Sequence, residues 1–143
     1  MSPAVTFAVL GVTVYAAHQL ADHVLGQTDG QAAAKAGPGR AGWTALGRHI
    51  VQYHAVMVVM VTLTVAVLRV PLSPAGAAAG LAISVATHLL WDRRRPVRWL
   101  LIHTGGARFA DLAAGGMSGM YLADQALHVA SLWLAALQAA VIR

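Results

Sequence analysis

Cysteine is absent from the 143 residues, and so is glutamate. Without cysteine there is neither a disulfide frame nor a thiolate metal site. Charge of either sign is scarce: 10% of the chain is charged, against ~25% in soluble domains. That scarcity argues against a soluble domain. What fills the chain instead is apolar. Hydrophobic residues make up 58%, and the mean hydropathy is +0.64. The composition is that of an integral membrane protein, and the length suits one domain.

The net charge of +5 reflects few acids, five aspartates in all, as much as the ten Lys and Arg. A basic balance often signals nucleic acid, but here membrane topology explains the distribution better. Four apolar segments of near-spanning length are expected, at about 3–26, 45–70, 75–92 and 120–142. Pro3 suits a helix start, and the first segment reads as a transmembrane helix, not a signal peptide, for want of a basic leading region. The turn Leu72-Ser73-Pro74 is short enough to make its two helices antiparallel neighbours. Gly76-x3-Gly80 has the spacing that lets membrane helices approach closely. Between the segments, residues 27–44 read as a polar loop in which residues 31–35 form a short surface helix. Residues 99–118 read as an interfacial apolar piece followed by glycine-rich loop.

Lys35, Arg40, Arg48, Arg93, Arg94, Arg95, Arg98 and Arg108 lie in or beside the first and third connections, whereas Arg69 and Arg143 fall on the other side. The positive-inside bias then puts loops 27–44 and 93–119 in the cytoplasm and both chain termini outside. The arginines at 93–98 are a topology signal first and a contact for anionic lipid second. Trp43, Tyr53, Trp91, Trp99 and Tyr121 fall near the same boundary, as an aromatic belt does.

Ionisable residues at membrane depth are costly and mark function by default. His18/Asp22, His88/Asp92 and Asp124/His128 are each four residues apart, so each pair shares a helix face. Alternating helix direction brings all three pairs, with His54, to the cytoplasmic leaflet. Ala16-x-His18-x-Leu20-x-Asp22 also matches Ala86-x-His88-x-Leu90-x-Asp92. The match suggests two copies of one helical hairpin about an axis along the membrane normal.

Imidazole and carboxylate ligands suit zinc, manganese or iron, and helical bundles build such sites from facing helices. The candidate metal residues are His18, Asp22, His54, His88, Asp92, Asp124 and His128, with Asp22, Asp92 and Asp124 also candidate orienters or bases. Gln19 and Gln125 are candidate hydrogen-bonding supports. His23 points about 100° away from His18 and Asp22, His49 beside Arg48 reads as a solvated interfacial histidine, and His103 lies outside the site. A metal here would activate water against a lipid-like or membrane-proximal ester. The alternatives are Asp–His bonds that only hold helices or partners together, and proton or cation transport.

Four motifs carry a family resemblance. They are Ala17-His18-Gln19-x-Ala21-Asp22-His23, Gln31-Ala32-x-x-Lys35, Thr87-His88-x3-Asp92-Arg93-Arg94 and Tyr121-x-x-Asp124-Gln125-x-x-His128. Together they resemble the small membrane proteins of bacteria and phages grouped as domain of unknown function 3307, whose members are often labelled transcriptional regulators. The resemblance implies a multi-pass protein of the bacterial cytoplasmic membrane and names no chemistry. Nothing in the chain reads as a helix-turn-helix, and no nucleic-acid partner is expected; the bilayer is, and an oligomer is compatible. The sequence-level expectation is therefore an all-α, four-helix membrane bundle around a divalent-metal site, a candidate metal-dependent hydrolase.

Overall fold

A computed structural model of the chain describes residues 1–142; Arg143, expected on the outer side, lies outside them. Helix α1 covers Pro3–Leu20, with Pro3 at its first position and the Ser2 hydroxyl accepting from the Val5 N–H, a start for which both residues are suited. It runs on into a π-helical turn, Ala21–Leu25. A Cβ on the next residue, Gly26, would collide with the Ala21 carbonyl, so this tight exit requires glycine. Helix α2, Asp29–Ala34, opens with a capping box in which Thr28 and Gln31 satisfy each other's backbone N–H groups.

Helix α3 is 30 residues long, Gly39–Leu68, and stops where Arg69 takes a left-handed conformation, φ 52°, just ahead of Pro71. Helix α4, Pro74–Trp91, repeats the serine–proline start of α1: Ser73 accepts from Gly76 N–H and donates to the Ile142 carbonyl. Helix α5 (Arg95–His103) and helix α6 (Ala107–Ala110) follow. A two-residue antiparallel pair, β1 (Ala113–Ala114) and β2 (Met117–Ser118), leads into α7, Gly119–Val141. The second long helix thus begins six residues earlier than its apolar run, directly after Pro38, whose fixed φ suits the residue ahead of a helix. Residues 99–118 contain helices and a strand pair where a short interfacial piece and loop were expected.

Helix α1 packs against both α3 and α7, while α4 packs against α7. Glycine makes that last approach close: a Cβ at Gly76 would sit 2.6 Å from the Ala139 carbonyl, and one at Gly80 would sit 2.9 Å from that of Ala135. The small-x3-small spacing therefore serves helix contact. Leu10, Val14, Ala17, Tyr53, Met57, Leu132 and Ala136 form the apolar core. Outward faces stay apolar too, with Val12, Val51, Leu63, Val67 and Trp133 exposed, as helices do when their solvent is hydrocarbon. The fold is all-α apart from the strand pair. Three helical stretches, Pro3–Leu25, Gly39–Leu68 and Pro74–Trp91, are long and apolar enough to cross a membrane.

Candidate metal centre

The π turn, the capping box and the end of α4 deliver three charged side chains to one point. Asp22 comes from the π turn, Lys35 from the residue after α2, and Asp92 from the residue after α4. Lys35 Nζ lies 2.9 Å from Asp92 Oδ1 and 3.7 Å from Asp22 Oδ1, and all three side chains are buried. Residues 31–35 do form a short helix, but not a surface one: Gln31 is buried and hydrogen-bonds Gln52 at 2.7 Å, which holds α2 against α3. Arg93 adds a second tether, donating to the Lys35 carbonyl at 3.0 Å.

Three histidines surround this charge group, and their hydrogen bonds divide them by role. His49 Nδ1 donates to the Gly26 carbonyl at 2.9 Å. That leaves Nε2 facing inward, 3.0 Å from His88 Nε2, 3.2 Å from Asp22 Oδ1 and 3.3 Å from Asp92 Oδ2. His88 Nε2 is 3.2 Å from the same Asp92 oxygen. His128 Nδ1 donates to the Asp124 carbonyl at 2.8 Å, and its Nε2, 3.8 Å from Asp92 Oδ1, is buried with no hydrogen-bond partner. A ring N–H held by a backbone carbonyl is how metal-binding histidines are commonly oriented.

The inward atoms are nearly all acceptors. With neutral imidazoles, His49 Nε2, Asp22 Oδ1 and Asp92 Oδ2 share one proton on His88 Nε2, besides the Lys35 ammonium 3.7 Å from Asp22 Oδ1. Lys35 offsets one of the two carboxylates, and a further cation, a metal ion or a proton on His49, is needed to offset the other. The triangle His49 Nε2, His88 Nε2, Asp92 Oδ2 has edges of 3.0, 3.2 and 3.3 Å. Neighbouring ligands held ~2.1 Å from one zinc-like ion are roughly 3.0–3.4 Å apart. The buried groups Asp22/His49/His88 and His88/Asp92/His128 could each hold a metal ion.

A chain of neutral side chains fixes Asp22. The Tyr53 hydroxyl donates to His18 Nδ1 at 3.0 Å, His18 Nε2 donates to Gln125 Oε1 at 3.0 Å, and Gln125 Nε2 donates to Asp22 Oδ2 at 2.9 Å. The other Asp22 oxygen is left for the centre. Gln27 donates to the Asp22 backbone carbonyl, closing the turn from below.

The residues singled out from sequence therefore separate. Asp22, His88, Asp92 and His128 meet at the centre. His18 has both nitrogens engaged and supports Asp22 through Gln125. His54 donates to the Ile50 carbonyl at 2.8 Å and accepts from Ser84 at 3.1 Å, so its nitrogens are occupied one turn away. Asp124 stands beside the centre, its Oδ1 3.7 Å from His128 Nδ1. His23, exposed, bonds Tyr121 and the Gln19 carbonyl, and exposed His103 bonds the Trp99 carbonyl.

Two participants escaped the sequence reading. His49 is completely buried, not solvated. Arg48 next to it projects about 100° away, so the neighbour's charge said nothing about its own face. The signal was there in the periodicity: Leu46, His49, Tyr53 and Met57 share one face. Lys35 sat at the end of a short helix read as a surface one, which the Thr28-x-x-Gln31 capping box starts and the Gln31–Gln52 bond holds against α3, burying it. Compared with models of known protein families, with curated proteins and with solved structures, the chain matches none.

Proposed function

We propose that this is a membrane protein in which α7 supplies a fourth crossing, with a divalent transition metal, zinc foremost, held between His49, His88 and Asp92. Asp22 and His128 complete its ligands. The observation that carries the reading is the convergence of buried acceptor atoms 3.0–3.3 Å apart around His49 Nε2. Charge supports it. Asp22, Asp92 and Asp124 against Lys35 leave two uncompensated negative charges, which a divalent ion offsets in a low-dielectric site.

The chemistry this supports is hydrolysis of an ester or phosphoester in a lipid-like substrate. Bound metal would supply activated water and polarise the reacting oxygen. Hydrolysis adds that water across the ester: its oxygen bonds to the acyl carbon or phosphorus, the bond to the alcohol oxygen breaks, and the alcohol leaves with the proton. Asp124 is the carboxylate suited to handle that proton. It has no ion pair with Lys35, and its Oδ1 has no hydrogen-bond partner. The bacterial cytoplasmic membrane, with both long connections inside, is the expected setting.

A second reading has its own observation. Lys35 already places an ammonium on both carboxylates, so the cluster could be a structural polar core with a built-in cation. Metal analysis of the purified protein separates the two. Stoichiometric zinc, manganese or iron, lost in His49→Ala and Asp92→Ala but kept in His54→Ala, supports the centre. Metal-free protein that neither takes up added zinc nor gains thermal stability from it establishes the polar core instead.

A further inference from the structure

A cavity of about 350 Å³ lies directly beneath the polar cluster, within the ~300–1,000 Å³ range of small-molecule sites. Its near end is ringed by Val14, Met57, Ser84 and Leu132. Each of these is one helical turn, four residues, from a member of the polar cluster: His18, Tyr53, His88 and His128 respectively. Residues four apart share a helix face, so cavity and cluster are successive floors of the same interior. The cavity continues toward the far end of the helices along Val61, Val65 and Ala139, about 12 Å of helix axis from Met57 to Val65.

Its lining is apolar but for Thr62 and Ser84, and the Ser84 hydroxyl is turned to His54. Leu10, Leu132, Ala135 and Ala136 form a buried back wall from α1 and α7. The exposed lining residues, Val58, Thr62, Ala77, Ala78 and Leu81, belong only to α3 and α4. The mouth therefore opens sideways between two helices of spanning length, at a depth where the surrounding solvent is hydrocarbon.

We infer that this cavity is the binding site for one hydrocarbon chain of a membrane lipid, entering between α3 and α4 with its polar end toward His88 and His128. The inference rests on the metal-centre reading for what happens at the polar end, and it names the substrate class as an ester- or phosphoester-linked amphiphile. An aliphatic chain fits because the mouth faces lipid, the buried walls carry no unpartnered polar atom among the described residues, and the near end meets the cluster. A long apolar chain gains little by leaving bilayer for protein, so selectivity comes from the polar end, and chain binding serves to set depth and orientation.

The test uses the full-length protein in nanodiscs with two photoreactive hexadecyl phospholipids, one carrying its diazirine at the chain end and one near the headgroup. The chain-end probe is expected to label Val65 and Ala139, and the headgroup probe Met57 and Ser84. Ala77→Trp, which fills the mouth from an exposed position, is expected to abolish both signals while leaving metal content unchanged. Labelling spread evenly over the outward Leu63, Val67 and Trp133 overturns the inference, as does a cross-link from the mouth to a second copy or another protein's helix. Cavity-confined labelling in protein that binds no metal leaves the chain site standing and removes the hydrolytic reading. Metal present with labelling unaffected by Ala77→Trp does the reverse.

Discussion

Lys35 Nζ lies 2.9 Å from Asp92 Oδ1 with both side chains buried. This ion pair joins the first connection to the end of α4 across 57 residues of sequence. Removing one partner of such a pair costs ~3–5 kcal/mol because the other charge is stranded. Lys35→Met should therefore unfold at markedly lower temperature in detergent, and added zinc should restore more stability to it than to the parent. Equal melting temperatures for the two metal-free proteins would show that the pair carries no stability.

The Gly26 carbonyl is the acceptor that turns His49 inward. Gly26→Ala forces a Cβ into the Ala21 carbonyl and must open the π turn. Metal affinity should fall ~10–100-fold, the usual cost of losing a ligand's orienting partner, as read by competition with a chromogenic chelator. Gly47→Ala is the control. Nothing lies within 4 Å of a Cβ there, and helix propensity predicts a gain of about 0.5–1 kcal/mol.

Gln125 bonds Asp22 through Oδ2, the oxygen turned away from His49, and links it to His18. In Gln125→Leu the chain from Tyr53 is cut and Asp22 is free to rotate. The expected result is a metal affinity lower by ~10-fold or more with a stability loss near 1–3 kcal/mol. Tyr53→Phe, two bonds further out, should lose less of both. An ordering in which Tyr53→Phe is the worse binder would break the proposed route of support.

Gly80 sits against the Ala135 carbonyl. Gly80→Val should push α4 from α7 and cost ~1–3 kcal/mol, the usual range for overpacking, measured by denaturant unfolding in a fixed detergent. A wild-type midpoint would mean that this contact is looser than its geometry.

The chain has no cysteine, so single-cysteine variants can be labelled without background. Arg40→Cys and Gly105→Cys should react with a membrane-impermeant maleimide only after the cytoplasmic side is opened, and Pro71→Cys should react in intact cells. The opposite pattern would invert the orientation read from the basic residues.

Much of this molecule can be read from sequence where a single physical preference dominates. Long apolar runs gave the long helices, and the four-residue spacing of His and Asp gave Asp22, His88, Asp92 and His128 as co-located groups. What sequence did not reveal depends on which nitrogen meets which partner. His18 and His88 occupy matching places in the repeated motif, yet His18 bonds Tyr53 and Gln125 while His88 faces His49. Only tertiary neighbours distinguish them. His54 was drawn away by Ser84, a weakly polar residue in an alanine-rich helix that no spacing rule flags. Lys35 was obscured because polar segments between spanning helices usually remain outside.

Connections between helices are ordinarily where a protein absorbs inserted or deleted residues. Here the segment from Gly26 to Pro38 is pinned at three points, by the Gly26 carbonyl, by Gln31 on Gln52 and by Lys35 on the two aspartates. Changing its length by one residue would carry Lys35 off the carboxylates and leave two buried negative charges facing each other. The stretch around Gly115 and Gly116, where an added Cβ meets nothing, has no such anchors. Among descendants of this chain, length variation should therefore accumulate after α6 and be purged between α1 and α3, so that the apparent linker evolves as slowly as the core it enters.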